Sequence, residues 1–299
     1  MQRHSQFFGN TVTSLAAFAA FWLTFGNAAS SSARAASNDE YIFIDSFESH
    51  DCSQPLTCSS PQAGKSCIAG QLTDVATTEP LRALFNVGLT CGHGAIGGPC
   101  DLDIRAHDAL QYAANPTGSL PLTSGGTIVD GCGRFRFSDL TAPGFGFVAI
   151  VADDAPGNDG HLPAATQRAL GPNQQIGGVD AAVVNSSTVA AWSVSGGTDF
   201  SNGAILLSYS TGGTPTAGVV VSHGAGVGAV RYFSDADSQR ITASSAATST
   251  GANGSALVAN APLQTFSGIG GESNGCAWTA VNLATIQGVI VFAELACAF

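Results

Sequence analysis

The sequence predicts an all-β protein made of two tandem β-sandwiches joined by a short helical connector. Short runs of alternating apolar and polar residues recur between glycine and proline turn signals, which is typical of strands. The chain has 37 glycines and only 10% charged residues, and long apolar periods of the helical kind are missing. One pattern of strand, turn, proline and strand also occurs twice. Each half of the chain is therefore expected to form one sandwich.

The repeat sets the expected domain boundaries. The first copy opens at residues 67–87 and the second at residues 203–223, with Pro80 of the first matched by Pro215 of the second. The first copy is longer, which indicates an insertion. We expect a signal peptide at 1–35, an N-terminal cysteine-containing tail at 36–66, a first sandwich at 67–154 with its insertion at 91–122, a connector at 155–202 and a second sandwich at 203–299.

The N-terminus has the features of a cleaved secretory signal. Arg3 and His4 precede 14 residues of mainly apolar character, residues 12–25, and an Ala-x-Ala sequence ends at Ala35. Such a run is too short to cross a bilayer, which takes about 20 residues, whereas a basic start and a small-residue exit mark a signal peptide. We therefore expect an exported protein, periplasmic or extracellular, without a membrane span.

Acidic residues dominate the rest of the chain. Loss of residues 1–35 removes two arginines and no acid, which leaves 8 basic and 21 acidic residues and a formal charge of −13. Nucleic acids and anionic membranes bind clustered lysine and arginine. We expect neither as a partner, and a polysaccharide or another surface protein remains open.

All eight cysteines lie in the exported part of the chain. An even number in an exported protein predicts disulfides, and the lack of a Cys-x-x-Cys pair argues against zinc or redox chemistry. The sequence alone leaves the pairing open. The pairs we expect are Cys52 with Cys58, Cys91 with Cys100, Cys67 with Cys132, and Cys276 with Cys297.

The clearest strand pattern lies in residues 126–154. Phe135 and Phe137 fall on one strand face and the arginines between them on the other, because side chains alternate along a strand. A proline-containing turn follows, and a second alternation then begins with Phe145 and Phe147. The pattern predicts a hairpin with one buried and one solvated face. Cys132 is then expected to be a disulfide partner rather than a nucleophile.

The connector contains one candidate helix. Asn185 or Ser186 is suited to cap a short helix that runs through Trp192, which we expect to pack on the second sandwich. An extended strand is the alternative for this segment.

Both copies resemble the carboxypeptidase regulatory-like domain, a transthyretin-like member of the Ig-like β-sandwiches, and the first copy matches it at more positions. The signature positions of that family are matched by Gly70, Leu72, Asp74, Thr77, Pro80, Asp130, Gly133, Phe135, Phe137, Leu140, Pro143 and Gly144. The second copy lacks the acidic turn residue and the Phe-x-Phe pair. The resemblance implies an accessory sandwich without catalytic residues. Residues 42–49 are similar to a segment near the ends of exported proteins of Gram-negative bacteria, although Ser46 stands where glycine is usual.

The insertion is the candidate binding loop. Its polar residues are His93, Asp101, Asp103, Arg105, His107, Asp108 and Tyr112. Loops on rigid scaffolds commonly carry binding residues, so we expect ligand specificity here. A solvated insertion without a partner is the alternative.

Cofactor and enzyme signals are weak in this sequence. The glycine-rich residues 92–97 lack the βαβ context of a dinucleotide loop, and no Gly-x-Ser-x-Gly nucleophile motif occurs. Residues 153–160 and 235–238 hold loop carboxylates of the kind that bind calcium, yet neither segment has the spacing of an EF-hand. We expect no cofactor.

The sequence therefore favours a non-enzymatic exported protein with a structural, adhesive or ligand-binding role. The alternative is an exported hydrolase or a metal-dependent enzyme similar to the intradiol dioxygenases, with a site assembled from distant residues. Dioxygenases of that kind use two tyrosines and two histidines. The chain has both residue types, but the His-x-His pair of that family is absent.

Overall fold

Strands make up most of the regular structure, which confirms the all-β class. The computed structural model describes residues 54–58, 61–81, 102–122, 133–154, 160–223, 227–235, 239–261, 267–273, 275–283 and 285–297. In chain order the strands are β1 (Lys65–Asp74), β2 (Leu102–Asp108), β3 (Arg134–Thr141), β4 (Phe147–Asp154), β5 (His161–Leu162), β6 (Ala164–Ala169), β7 (Gln175–Asn185), β8 (Ala204–Thr211), β9 (Thr214–Pro215), β10 (Val220–His223), β11 (Val230–Phe233), β12 (Ala243–Ser244), β13 (Ser255–Ala259), β14 (Ser267–Ser273), β15 (Cys276–Leu283) and β16 (Ile290–Cys297). The helices are α1 (Ala109–Ala114) and α2 (Ser186–Gly196).

A central sheet of nine strands organises the part of the chain that the structure describes. Its order is β12-β11-β13-β8-β16-β6-β4-β2, and β9 adds to β8 as a short hairpin. The last strand, β16, runs parallel to both of its neighbours, so that Val291 lies opposite Ile205 on one side and Ala165 on the other. The other pairs in this sheet are antiparallel.

Two smaller sheets and two helices cover the central sheet. A four-stranded sheet has the order β3-β1-β7-β5, and a three-stranded sheet has the order β10-β14-β15. In β8, Ile205 and Leu207 pack in one core with Trp278 of the three-stranded sheet. Leu206, between them, packs in another core with Trp192 of α2. The central sheet is therefore buried on both faces, which explains its unbroken apolar runs.

The central sheet runs through both of the ranges predicted as separate sandwiches. Its strands β2 and β4 come from the first range, β6 from the predicted connector, and β8 and β16 from the second range. The connector also supplies β5 and β7, so only α2 in it is helical. The structure thus does not confirm two tandem domains. The physical reason is that strands apolar on both faces need covering layers from both halves of the chain.

The predicted hairpin of β3 and β4 is wrong. These strands lie in different sheets, because β3 pairs with β1 whereas β4 pairs with β2 and β6. Phe135 and Phe137 are buried as predicted, but Phe145 and Phe147 are 72% and 52% exposed. The turn between the strands carries the chain from the four-stranded sheet to the central sheet, so the second alternation does not continue the first core.

Gly70 lies where three strands meet closely. The pairing register of β1 with β7 shifts between Ile68 and Gly70. A Cβ atom at Gly70 would collide with the carbonyl oxygen of Val179 and with the ring of Phe135. Only glycine leaves room for this approach of neighbouring backbones.

The predicted helix in the connector is confirmed, which excludes the strand alternative. The Asn185 side chain caps it by accepting a hydrogen bond from the Ser187 amide at 2.8 Å, and Gly197, with a φ of 62°, caps its C-terminus after Gly196. Trp192 is fully buried, with its ring edge on Phe233 at 5.7 Å between centroids. As predicted, this helix packs its tryptophan on strands of the second half.

The structure confirms one predicted disulfide and corrects two. Cys276 bonds to Cys297 as predicted, and Cys58 bonds to Cys67, with 5.8 Å between their Cα atoms. The predicted pairs Cys52 with Cys58 and Cys67 with Cys132 are therefore wrong. The reason is a turn in which the Lys65 amide donates to the Gln62 carbonyl, so the chain reverses and brings Cys58 beside Cys67.

Several sequence predictions fall outside the described residues. They are the signal peptide at 1–35, the segment 42–49, and Cys52, Cys91, Cys100 and Cys132. The pairing of Cys91 with Cys100 stays a prediction. Within the part of the chain that the structure describes, no helix is long and apolar enough to cross a membrane.

Replacement of Trp192 by alanine is expected to lower the free energy of unfolding by about 3–5 kcal/mol, because it leaves a large cavity between α2 and the central sheet. Val194, in the same helix, is 86% exposed and provides the matched control. Chemical denaturation of both variants measures the difference. A Trp192→Ala variant as stable as Val194→Ala would contradict the described core.

Candidate functional site

The predicted binding loop is largely a strand and a helix. Asp103, Arg105 and His107 alternate along β2, so they share one face of that strand. Tyr112 lies in α1, and Asp108 caps this helix by accepting hydrogen bonds from two of its amides, both at 3.0 Å. His93 and Asp101 lie outside the described residues. Leu102, Ile104 and Ala106 alternate with these polar residues, and all three are buried. This alternation is the sequence signal for the strand.

Polar side chains of two neighbouring strands meet at the edge of the central sheet. β2 is the edge strand in the described sheet, and Asp103 lies directly opposite Asp153 of β4. Asp103 forms an ion pair with Arg105, and their side chains are 31% and 52% exposed. We call the group Asp103, Arg105, His107, Tyr112 and Asp153 the polar surface. The sequence grouped four of these residues but assigned Asp153 to the candidate calcium loop at 153–160.

His107 is a buried residue of the polar surface. The residue is 5% exposed, its Nδ1 atom lies 3.1 Å from the Ser119 hydroxyl oxygen, and its ring centroid lies 5.0 Å from that of Tyr112. Burial lowers the pKa of His107, and the charge of Arg105 lowers it further. The imidazole is therefore neutral at neutral pH and supports Tyr112 and Ser119 without adding a positive charge.

Burial also changes the acids of the polar surface. The pKa of Asp153 is raised by burial and, to a smaller extent, by the charges of Asp154 and Asp103. The pKa of Tyr112 is raised by burial and by the charge of Asp153. Tyr112 thus keeps its phenol proton at all ordinary pH values. The surface therefore combines Arg105 as a donor with carboxylates as acceptors, and the buried Tyr112 lies beneath it.

Three large apolar side chains are exposed at one end of the polar surface. Leu120 is 79% exposed, and Phe145 and Phe147 are 72% and 52% exposed. His107 forms a bridge with Pro121, the residue after Leu120, and β4 begins with Phe147 beside the end of β2. We call Leu120, Phe145 and Phe147 the apolar end. Sequence reasoning missed it because alternation predicted both phenylalanines to be buried.

The acidic loops considered for calcium have structural roles where they are described. Asp154 accepts from the backbone amide of His161 at 2.7 Å, and its other oxygen lies 2.6 Å from the His161 ring nitrogen. Asp235 accepts from the amides of Ile241 and Thr242, both at 2.9 Å. Residues 155–159 and 236–238 lie outside the described part. Among the described residues no group of three or more His, Cys, Asp or Glu side chains is arranged to hold a metal ion.

Two of the tyrosines that the dioxygenase-like alternative could use form hydrogen bonds with the backbone. The Tyr209 hydroxyl donates to the Gly270 carbonyl at 2.8 Å, and the Tyr232 hydroxyl accepts from the Val221 amide at 3.0 Å. Both rings are buried in the core beneath the three-stranded sheet. Their positions are explained by packing and hydrogen bonding.

The fold and the polar surface define the class as an all-β protein of three layers with disulfides. No protein-family model, no curated protein and no solved structure matches the chain. Its function is therefore argued from its own residues.

Replacement of Asp153 by asparagine is expected to increase the free energy of unfolding at pH 7. Because burial raises the pKa of Asp153, the folded state binds this proton more tightly than the unfolded state does. Asp153 therefore costs stability as the pH rises from the ordinary aspartate pKa, about 3.9, through its raised value. The increase in the free energy of unfolding should vanish at pH 3. Denaturation at both values measures it.

The matched control for this prediction is Glu272→Gln, since Glu272 is an exposed acid on β14. This variant should leave stability unchanged at either pH. An Asp153→Asn variant that is less stable than the wild type at pH 7 would show that the ionised carboxylate stabilises the fold.

Proposed function

We propose that this is a non-enzymatic exported protein that binds a polysaccharide across the polar surface and the apolar end. The observation that carries the proposal is the junction of exposed Phe145 and Phe147 with a row of strand-borne polar side chains. A sugar ring has an apolar face of C–H groups and a rim of hydroxyls, so it needs both kinds of surface.

The polar surface offers hydrogen bonds suited to hydroxyl groups. Arg105 is half exposed and donates in a fixed planar geometry, while Asp103 accepts. A sugar hydroxyl is both donor and acceptor, and one placed between these groups bonds to both. Hydrogen bonds that involve a charged group contribute about 1.5–3 kcal/mol each.

The apolar end supplies the stacking surface. An exposed phenylalanine ring stacks on an apolar face and removes both from water, at about 25 cal/mol per Å² of apolar area. Phe147 and Asp153 begin and nearly end the same strand, six residues apart, which corresponds to about 20 Å along β4. This length exceeds one sugar ring, which favours a chain over a monosaccharide.

The charge of the protein selects among polysaccharides. The chain has a formal net charge of −11 at neutral pH, and like charge repels and slows the approach of a polyanion. A neutral polysaccharide is therefore the favoured ligand. The disulfides are in keeping with a role outside the cytoplasm.

The test is a binding assay of the purified protein with insoluble cellulose, chitin and β-1,3-glucan. The wild type is expected to bind at least one of them. The double variant Arg105→Ala, Phe147→Ala is expected to weaken that binding at least tenfold, because it removes the donor and the stacking ring together. A depletion isotherm measures the affinity.

The matched control is Arg136→Ala with Val220→Ala, which removes an arginine of β3 and a side chain that is 50% exposed on β10. Its affinity should equal that of the wild type. The proposal would be overturned if the wild type bound none of the three polysaccharides, or if both double variants bound equally well.

A further inference from the structure

A cavity lies on the opposite face of the central sheet from the polar surface. Its volume is about 330 Å³. The residues around it are Thr78, Ser208, Ser210, Gly213, Pro215, Arg240, Asn253 and Glu294. Ser208 and Glu294 continue the alternation of Leu206 and Phe292, which face α2, so they share that face. Gly213, Pro215 and Glu294 are exposed at the rim, whereas Arg240 and Asn253 are buried at the base.

Arg240 is fixed in place by four hydrogen bonds. Its Nε atom donates to the Ser255 hydroxyl at 2.7 Å and its Nη1 atom to the Val75 carbonyl at 3.3 Å. Its backbone amide donates to Ala76 at 2.7 Å, and its carbonyl accepts from the Trp192 indole at 2.6 Å. A cation held in this way is preorganised, so little conformational entropy is lost when it binds an anion.

Arg240 forms no ion pair with a carboxylate among the described residues. The residue is 8% exposed, and burial lowers the pKa of Arg240 to about 10, against a smaller opposing effect of the Glu294 charge, so Arg240 stays charged at neutral pH. The nearest acid that lines the cavity, Glu294, forms its ion pair with Arg168. A buried cation without an ion pair of its own is costly, and an anion in the cavity would offset that cost more fully than the charge of Glu294 does.

One terminal nitrogen of Arg240 is open to the cavity. The side chain donates through Nε and Nη1, and no hydrogen bond from Nη2 to a described residue occurs. Within the described residues every fully buried side-chain nitrogen and oxygen has a partner. Nη2 is therefore reached by solvent, and the cavity is the space that borders this otherwise buried residue.

We propose that this cavity binds a small hydroxylated carboxylate of the sugar-acid class, with its carboxylate on Arg240 and its hydroxyls on Ser208, Ser210 and Glu294. Arginine recognises carboxylates through charge-assisted hydrogen bonds. The serines and the exposed Glu294 at the wall suit hydroxyl groups, which both donate and accept. The volume lies near the lower end of ligand pockets, about 300–1,000 Å³, and so fits one small molecule.

This site is independent of the proposed polysaccharide surface. It lies on the other face of the central sheet and uses none of the same residues. Either proposal stands if the other fails.

The test is calorimetric titration of the purified protein with glucuronate, and with glucose as the neutral analogue. Glucuronate is expected to bind at least tenfold more tightly than glucose, because only its carboxylate compensates Arg240. Arg240→Gln is expected to weaken glucuronate binding about 10- to 100-fold, as loss of a charged hydrogen bond implies. Affinities that are equal for the two ligands would overturn the proposal.

Two further variants separate binding from folding. Arg231→Gln is the matched control, because Arg231 also holds backbone and side-chain oxygens, Gly196 and Thr198, but lies outside the cavity. It should bind glucuronate like the wild type. Ser208→Leu leaves Arg240 in place and fills the cavity, so it should abolish binding while far-ultraviolet circular dichroism stays unchanged. Glucuronate binding that survives in folded Ser208→Leu, or is absent in the wild type, would overturn the proposal.

Discussion

The parallel insertion of β16 between β6 and β8 is the constraint on which the rest of the structure depends. β16 is the last strand of the described chain, yet it occupies the middle of the central sheet. Its two ladders are parallel, so each neighbour must arrive by a crossover rather than a hairpin. Among the described strands, the antiparallel group β2-β4-β6 and the group around β8 are joined into one sheet only through β16. The central sheet therefore forms only when strands that lie nearly 200 residues apart in the chain come together, such as those of Ile104 and Phe292.

A sheet buried on both faces restricts where polar chemistry can occur. Alternate residues of β16, such as Val291 and Phe292, enter opposite cores. Polar side chains are then accommodated at the edge strand and at the strand ends. The polar surface lies at the edge, on β2 and β4, and the cavity lies where β8 and β16 leave their covering layers. Both candidate sites therefore lie where the covering layers end and leave polar side chains of the central sheet accessible.

Local features of the fold could be read from the sequence, whereas features set by layer order could not. The burial of Phe135 and Phe137 and the cap at Asn185 depend on neighbours a few residues away, so alternation and capping rules predict them. Phe145 and Phe147 show the same alternation but follow a turn that changes sheets. Nothing within a few residues of the turn indicates that change. The sequence pattern of one sandwich therefore predicts a hairpin across the turn at which the chain passes from one sheet to another.

The same distinction applies to the candidate sites. The sequence grouped Asp103, Arg105 and His107 because they are close in the chain, and strand alternation then aligned them on one face. Asp153 was assigned to a different candidate site, because only the register of β2 with β4 places it opposite Asp103. Chain proximity thus recovers the part of a site that one strand carries. Strand pairing is required for the rest.

Arg240 is the residue for which sequence gives the least guidance and structure the most. Its backbone and side chain hold β1 at Val75 and Ala76, α2 at Trp192 and β13 at Ser255. An arginine used only as a clamp between these elements would be replaceable by neutral donors at lower desolvation cost. The charge is what a structural role leaves unexplained, and it borders the cavity. A binding role accounts for the charge and the clamp together, because a fixed guanidinium is a better anion receptor than a mobile one.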